Sequence, residues 1–340
     1  MTRTPNALRI GTRSSALALA QTRLIAEELA EGGHARPEIM TLTTSGDRAG
    51  ASGGDKSRWV DTIEEALLAD EIDLAVHSAK DLPGELAGGL TLLGAPARAA
   101  VEDVLCFAPA PSARGGEDGD GDVHGADGGD DEYDGAPKGA DGLAVGARVG
   151  TSSIRRAAQL RAARADLDVV AMRGNVDTRL RKLAEGELDA IVLARAGLQR
   201  LDREDAIDAV LNPAQFVPAP GQGALALEAR AGDDRVHEAV AAILDAHASV
   251  CLQAERALAS ALGASCHTPL GAHAAPAGCG CLTLRAWVGL PDGSAWVADE
   301  LLGGFYEPAE LGARVAERMT ATGARELLAR AEEMAAGVGA

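Results

Sequence analysis

Aromatic side chains are scarce: Phe, Tyr and Trp together make up 2% of the 340 residues. Hydrophobic residues still reach 46%, so real cores can form, but much of their substance is alanine. Cysteine is equally sparse. Cys106, Cys251, Cys266, Cys279 and Cys281 are an odd number with no C-x-x-C pair, which implies neither a disulfide framework nor a zinc site. No apolar run approaches the roughly 20 residues that a membrane span requires. A basic surplus is missing too. The net charge is −19, which argues against nucleic acid as a partner, because phosphate binding needs a basic face. The N-terminal MTRTPNALRI lacks the apolar core of a signal peptide, so the expected location is the cytoplasm, with no membrane association.

What the chain does contain is arginine at telling places. GTSSIRR (150–156) and RGNVDTR (173–179) each stand where a strand should hand over to a helix. Residues 143–149, 168–172 and 189–194 read as strands, and 157–165 and 176–183 have helical spacing. This is a βαβαβ pattern with a parallel sheet. Loops at the carboxyl ends of such strands form a ligand crevice, and helix N-termini there present free N–H groups to anions. Thr151, Ser152 and Ser153 add hydroxyls, and Arg155, Arg156, Arg173 and Arg179 add guanidiniums suited to carboxylate or phosphate. Cations at helix N-termini oppose the macrodipole unless an anion arrives. A ligand with several negative charges is therefore expected. The competing reading makes Arg155 and Arg156 solvated first-turn residues and pairs Arg179 with Asp177 or Glu185.

Taken in order, residues 7–11 form a first strand and 15–29 a helix, with Ser14 or Ser15 as its cap. Residues 44–58 are a Gly-, Ser- and charge-rich loop. Its GDKS superficially resembles a phosphate-binding loop, but Asp55 stands where that motif needs glycine. A strand at 72–77 ends in His77–Ser78–Ala79–Lys80–Asp81–Leu82–Pro83, a Lys–Asp pair where α/β proteins place chemistry. Residues 112–142 hold ten glycines, ten acidic and two basic residues, a net −8, and are expected to be a disordered insertion. PAPGQGA (218–224) follows no strand and opens no helix, so it is no dinucleotide fingerprint but a hinge back to the first domain. Helices at 233–247 and 249–262, a tight loop at 263–271 around Cys266, a hairpin at 282–301 and helices near 308–321 and 324–335 close the chain. Cys279 and Cys281 open a strand as inert packing.

Several of these stretches are collinear with one family. LRIGTRSSALALAQ (8–21), VHSAKDLP (76–83), VGTSSIRRAAQL (149–160), RGNVDTRL (173–180), LDAIVLARAGLQRL (188–201), PAPGQGALALE (218–228) and AERAL with CHTPLG (254–271) resemble hydroxymethylbilane synthases, also called porphobilinogen deaminases. The resemblance runs from Leu8 to about Leu328. It implies α/β architecture, with two periplasmic-binding-protein-like (type II) domains flanking a cleft and a small α+β C-terminal domain. Domain 1 would be 1–105 plus 224–243, domain 2 would be 106–223 with the insertion, and domain 3 would be 246–340.

The implied activity is head-to-tail condensation of four porphobilinogen molecules with loss of ammonia, on a covalent dipyrromethane primer, then hydrolytic release of the linear tetrapyrrole. The pyrrole acetates and propionates would be the expected polyanion. By motif, Asp81 is the catalytic carboxylate and Cys266 carries the primer through a thioether. Lys80, Ser15, Thr151, Ser153, Arg155, Arg156 and Arg179 match primer-holding positions. Arg13, Arg173, Arg179, Arg200 and Gln21 match substrate positions, and Lys56 belongs to a lid loop. A monomer that passes its product to uroporphyrinogen-III synthase is implied.

There are departures from the family pattern. GGDKSRW (53–59) replaces Gly-Gly-Lys-Gly-Leu-Phe, Ala264–Ser265 replaces Gly-Gly before the cysteine, and Val101–Glu102–Asp103 lacks an arginine found in the family. A non-catalytic two-domain binder of anions and an impaired paralogue are the alternatives.

Overall fold

The computed structural model describes residues 7–42, 57–109, 139–265, 268–278 and 280–337. The chain opens with β1 (Arg9–Arg13), α1 (Ala16–Glu31), β2 (Glu38–Leu42), α2 (Ser57–Leu68) and β3 (Leu74–Ser78). A single 3-10 turn, Ala79–Asp81, leads through a loop to β4 (Leu90–Gly94) and then to β5 (Asp103–Phe107). The middle of the chain supplies β6 (Arg148–Thr151), α3 (Ile154–Ala163), β7 (Asp168–Ala171), α4 (Val176–Ala184), β8 (Ala190–Ala194), α5 (Arg195–Gln199) and β9 (Ala209–Val210). Next come β10 (Leu225–Arg230), α6 (Asp234–Ala241) and α7 (Ala246–Leu262). The chain then forms β11 (Leu270–Pro276), β12 (Cys281–Gly289), β13 (Trp296–Gly304), α8 (Pro308–Ala321) and α9 (Ala324–Gly337).

Two five-stranded sheets share one plan. The first runs β2-β1-β3-β10-β4 and the second β7-β6-β8-β5-β9. In each, three strands are parallel, and one strand arriving from the other half of the chain pairs antiparallel between the third parallel strand and an edge strand. The chain thus crosses between the sheets twice, ahead of β5 and ahead of β10. This is the cleft-flanking pair expected from the resemblance. Both crossings bring carboxyl ends of parallel strands towards the hinge, where such sheets bind ligands.

Local chemistry sets the helix starts. Ser15, Ser153 and Asn175 cap α1, α3 and α4, accepting from the N–H groups of Ala18, Arg156 and Thr178. The cores are aliphatic. In the first domain Ile10, Ile25, Leu29, Leu74 and Leu227 are fully buried, each contributing roughly 1.5–3 kcal/mol by leaving water.

The third domain packs α7, α8 and α9 on the antiparallel sheet β11-β12-β13. Helix α7 has two apolar faces. Cys251, Ala254, Leu258 and Leu262 belong to the third-domain core. Ala248 and Leu252 pack instead with Ala79, Ala95, Ala224 and Ala226 of the first domain.

Some expectations shift. Residues 143–147 are not strand: β6 begins at Arg148, although Leu143 and Ala147 are core side chains. Gly146 at φ +75° turns the backbone between them. The single helix expected at 233–247 ends at Ala241, because Asp245 caps α7 by accepting from Ala248 N at 2.7 Å. Strand β11 falls partly in the expected loop 263–271. Most of the expected insertion lies outside the described residues, but its last residues form a 3-10 turn at Ala140–Gly142, with Ala140 packed on the second-domain core.

Candidate active site

The Lys80–Asp81 turn rests on the hinge. Ala79 N–H donates to Ala224 O at 3.1 Å and Ala224 N–H to Gly221 O at 3.1 Å. Gly221, at φ +73°, lies so close that an added Cβ would stand 2.9 Å from the Ala79 carbonyl carbon and 3.0 Å from Lys80 N. Only glycine meets both conditions. Lys80 and Asp81 are half-buried. Gln21 is buried, and its amide exchanges hydrogen bonds with Ser78 Oγ at 2.7 and 3.1 Å, tying α1 to the entry of this turn.

Across the hinge, Arg155 and Arg156 are 3% and 5% exposed, and both grip Asp103, which is 0% exposed. Arg155 Nη2 meets Asp103 Oδ2 at 2.7 Å, and Arg156 Nε meets Oδ1 at 2.9 Å. Arg155 also donates to Val217 O at 2.7 Å and Arg156 to Val192 O at 3.1 Å. Burial alone would push the Asp103 carboxyl up. The two guanidiniums and Gln222 outweigh it and hold the group at about 2. The anion that the α3 N-terminus demands is therefore first supplied by the chain itself. Neither arginine is solvated.

Two further cations stay unneutralised. Arg179, beside Gly174, and Arg200, donating to Gly223 O at 2.7 Å, have no carboxylate partner among the described residues. Burial lowers each to about 10, helped for Arg179 by the neighbouring Arg156. Asp177 pairs with Arg203 and Glu185 with Arg181, so neither serves Arg179. Arg173 is exposed at the start of the β7–α4 connection, and Arg13 is half-buried at the end of β1. Thr151 Oγ1 accepts from Ser153 N–H at 3.1 Å. The capping hydroxyls of Ser15 and Ser153 keep their own O–H to donate. Lys56 and Cys266 lie outside the described residues, while Thr268 ties back to Ser265 O at 2.7 Å just beside the cysteine position.

A carboxylate from the third domain closes the arrangement. Glu255, 0% exposed, accepts from Gly221 N–H at 2.6 Å, Ala274 N–H at 2.8 Å and Arg98 at 2.7 and 3.0 Å. Arg98 donates onward to Gln222 O, and Gln222 to Asp103 Oδ1, each at 2.9 Å. One buried polar chain therefore joins the three domains at the hinge.

Comparison with known proteins decides the family. A model described as the dipyromethane cofactor binding domain of porphobilinogen deaminase matches residues 8–238, and that of its C-terminal domain matches 249–321. This chain belongs to the porphobilinogen deaminase family.

Relatives named porphobilinogen deaminase span nearly the full length. That of Deinococcus deserti is 44% identical over 95% of this chain and 98% of its own. That of Deinococcus radiodurans is 43% identical over 95% and 98%. That of Thermus thermophilus is 43% identical over 94% and 98%. Among solved structures, an ArgBP of T. maritima is 15% identical, with a TM-score of 0.33 over 70% of this chain and 87% of its own. The strand orders above, not that overlap, establish the fold.

The side chains present fit the family's dipyrromethane cofactor. Arg155 Nε and Arg200 Nε are buried without an acceptor, and the guanidiniums outnumber the carboxylates around them. A group bearing several carboxylates satisfies both deficits.

Asp103, Gln222, Glu255 and Arg98 were not among the site residues expected from sequence. Their one legible signal is position: Gln222 sits in PAPGQGA, and Glu255 in the charged pair of the otherwise apolar AERAL.

Proposed function

We propose that the protein is a hydroxymethylbilane synthase, joining four porphobilinogen molecules head to tail with loss of four ammonias and hydrolysing off the linear tetrapyrrole. One observation carries the reading beyond family membership. Two half-buried arginines without a carboxylate partner among the described residues, Arg179 and Arg200, sit in the domain hinged to the Lys80–Asp81 turn.

In this reading the dipyrromethane primer, held through Cys266, supplies the free pyrrole end that receives the first substrate. Asp81 accepts hydrogen bonds from pyrrole N–H groups and faces the positive charge that develops as ammonia departs. It also serves as the way station for the proton moving between leaving amine and pyrrole carbon. Lys80, Arg179 and the O–H groups of Ser15, Thr151 and Ser153 bind primer carboxylates. Arg155 and Arg156 share in this with the charge that Asp103 leaves uncompensated. Arg13, Arg173 and Arg200 bind the incoming acetate and propionate, and Lys56 lies on the closing loop.

Cys266 is assigned to the primer by motif. Burial pushes Cys106 up to about 12 and Cys251 up to about 11, which makes those two thiols poor nucleophiles at neutral pH. The same reading takes the protein as a cytoplasmic monomer that hands its product to a uroporphyrinogen-III synthase. No helix among the described residues is long and apolar enough to cross a membrane.

The test is turnover. Purified protein given porphobilinogen should release ammonia and a linear tetrapyrrole in a four-to-one ratio. Protein that carries the primer yet consumes no substrate would overturn the assignment in favour of an impaired paralogue. Protein that binds porphobilinogen with neither primer nor turnover would favour a binding protein.

A further inference from the structure

We infer that Arg256, on helix α7 of the third domain, is a positioning residue for the turn that carries Asp81. Its Nη2 donates to Pro83 O at 2.9 Å and to Gly84 O at 3.0 Å, the second and third residues after Asp81. No ion pair of Arg256 occurs among the described residues, although Glu228, paired with His77 at 2.8 Å, is close enough to act on its charge. Burial disfavours its charged form. A half-buried guanidinium is thus committed to two backbone carbonyls rather than to a carboxylate.

The rest of the helix explains what those bonds achieve. Ala248, Leu252 and Arg256 are spaced four apart and share one face. Ala248 and Leu252 share an apolar cluster with Ala79, and Leu82 lies against it, so the residues on either side of Lys80–Asp81 belong to the cluster that this face of α7 helps to form. The entry of the turn is fixed independently, by Ala79 N–H on Ala224 O and by the close approach of Gly221. Arg256 fixes the exit. Between those two anchors Asp81 has little freedom.

Six residues further on, α7 ends at Leu262, and Gly263 at φ +69° turns the chain into the segment before Cys266. The same helix therefore holds the catalytic turn and launches the cysteine loop. Arg256 makes the distance between carboxylate and thiol loop a property of one rigid element. This inference rests on the role assigned to Asp81 under the proposed function.

The test compares Arg256→Met, which keeps the aliphatic stem, with Arg256→Lys, which also keeps a cationic donor at its end. Deuterium exchange by mass spectrometry reads the backbone amides of 79–84 without needing activity. In the Met variant those amides should exchange about tenfold faster while the third-domain core keeps its protection. Turnover is then expressed per primer-loaded molecule. The Met variant should lose about 10–100-fold in kcat, the scale of a small misplacement of a catalytic group. KM should change little, and the Lys variant should recover most of the loss.

Unchanged exchange at 79–84 overturns the inference. So does a Met variant whose kcat per loaded molecule matches the parent. A Lys variant no better than Met, with melting temperature and activity falling together, overturns it as well, since Arg256 would then be only structural. If the parent protein lacks turnover while the exchange result holds, the proposed function fails and the brace stands.

Discussion

Asp103, the first residue of β5, and Arg156, in the first turn of α3, meet through Nε at 2.9 Å and Nη2 at 2.7 Å on one carboxylate oxygen. Arg155 takes the other oxygen at 2.7 Å. The N-terminus of α3 is thereby neutralised in part by a strand that crosses in from the first domain. One carboxylate against two guanidiniums leaves a net positive charge inside the protein. That residual charge, with Arg179 and Arg200, is what a polycarboxylate can answer.

Replacing Asp103 by Asn should therefore be costly. It strands two buried guanidiniums, and breaking a buried pair in this way costs about 3–5 kcal/mol. Chemical denaturation of parent and variant measures the loss. The pH dependence has a definite sign. The folded-state value of about 2 lies below the ordinary value of 3.8, so this group stabilises the fold above roughly pH 4. That contribution is lost as pH falls from there towards 2. The parent should lose stability over this interval, and the Asn variant should show a shallower loss. Equal slopes would mean that the pair does not govern acid stability.

Gly221→Ala tests the support beneath the Lys80–Asp81 turn. A Cβ at 2.9 Å from the Ala79 carbonyl carbon cannot be absorbed by a side-chain rotation, because the obstacle is backbone. The positive φ adds strain of order 1–3 kcal/mol for a non-glycine residue. Both the melting temperature and kcat should fall. A variant with parental kcat would show that the Gly221 contact does not set the position of Asp81.

Asp81 and Arg200 should fail differently. Asp81→Asn keeps the shape but loses the charge opposite the developing cation, and removing one such partner costs about 10²–10³ in rate. KM should move far less. Arg200→Leu removes the group proposed to bind the incoming carboxylates, so KM should rise while primer occupancy, read by intact mass, stays at the parental level. Steady-state kinetics on both variants decides the matter, and a reversed pattern would exchange the two roles.

Much of this organisation is legible in the residues, and the parts that are not have definable causes. Ser15 and Ser153 announce α1 and α3 because a hydroxyl before an apolar periodic stretch satisfies free N–H groups. Apolar β3 and β8 declare themselves by hydrophobicity alone. Strand β11, LGAHAAP, does not, since small residues and a proline give no alternation to read. The arginine cluster is visible as charge at strand ends, yet its internal counter-ion is not. Nothing local distinguishes Asp103, fully buried between two arginines, from Glu102 beside it, which is half-buried and faces Arg195 at 3.7 Å. Glu255 and Arg256 share that difficulty: adjacent charges in an alanine-rich helix look solvated until the tertiary fold puts Gly221 on one and the loop after Asp81 on the other.

The acidic stretch offers an independent check. Ala140 packs on the second-domain core, so a deletion should spare 139–142 and remove 112–138 alone. With so little apolar side chain to bury, that deletion, bridged by a short Gly–Ser link, should leave melting temperature and turnover near parental. A several-fold loss of activity would show that the segment reaches the cleft.

The most direct test of the central claim is the intact mass of the purified protein beside its Cys266→Ser variant. The parent should carry the added mass of one dipyrromethane and react with Ehrlich's reagent, while the variant should have the bare polypeptide mass and no colour. A parent without the adduct, or a variant that retains it, would contradict the account.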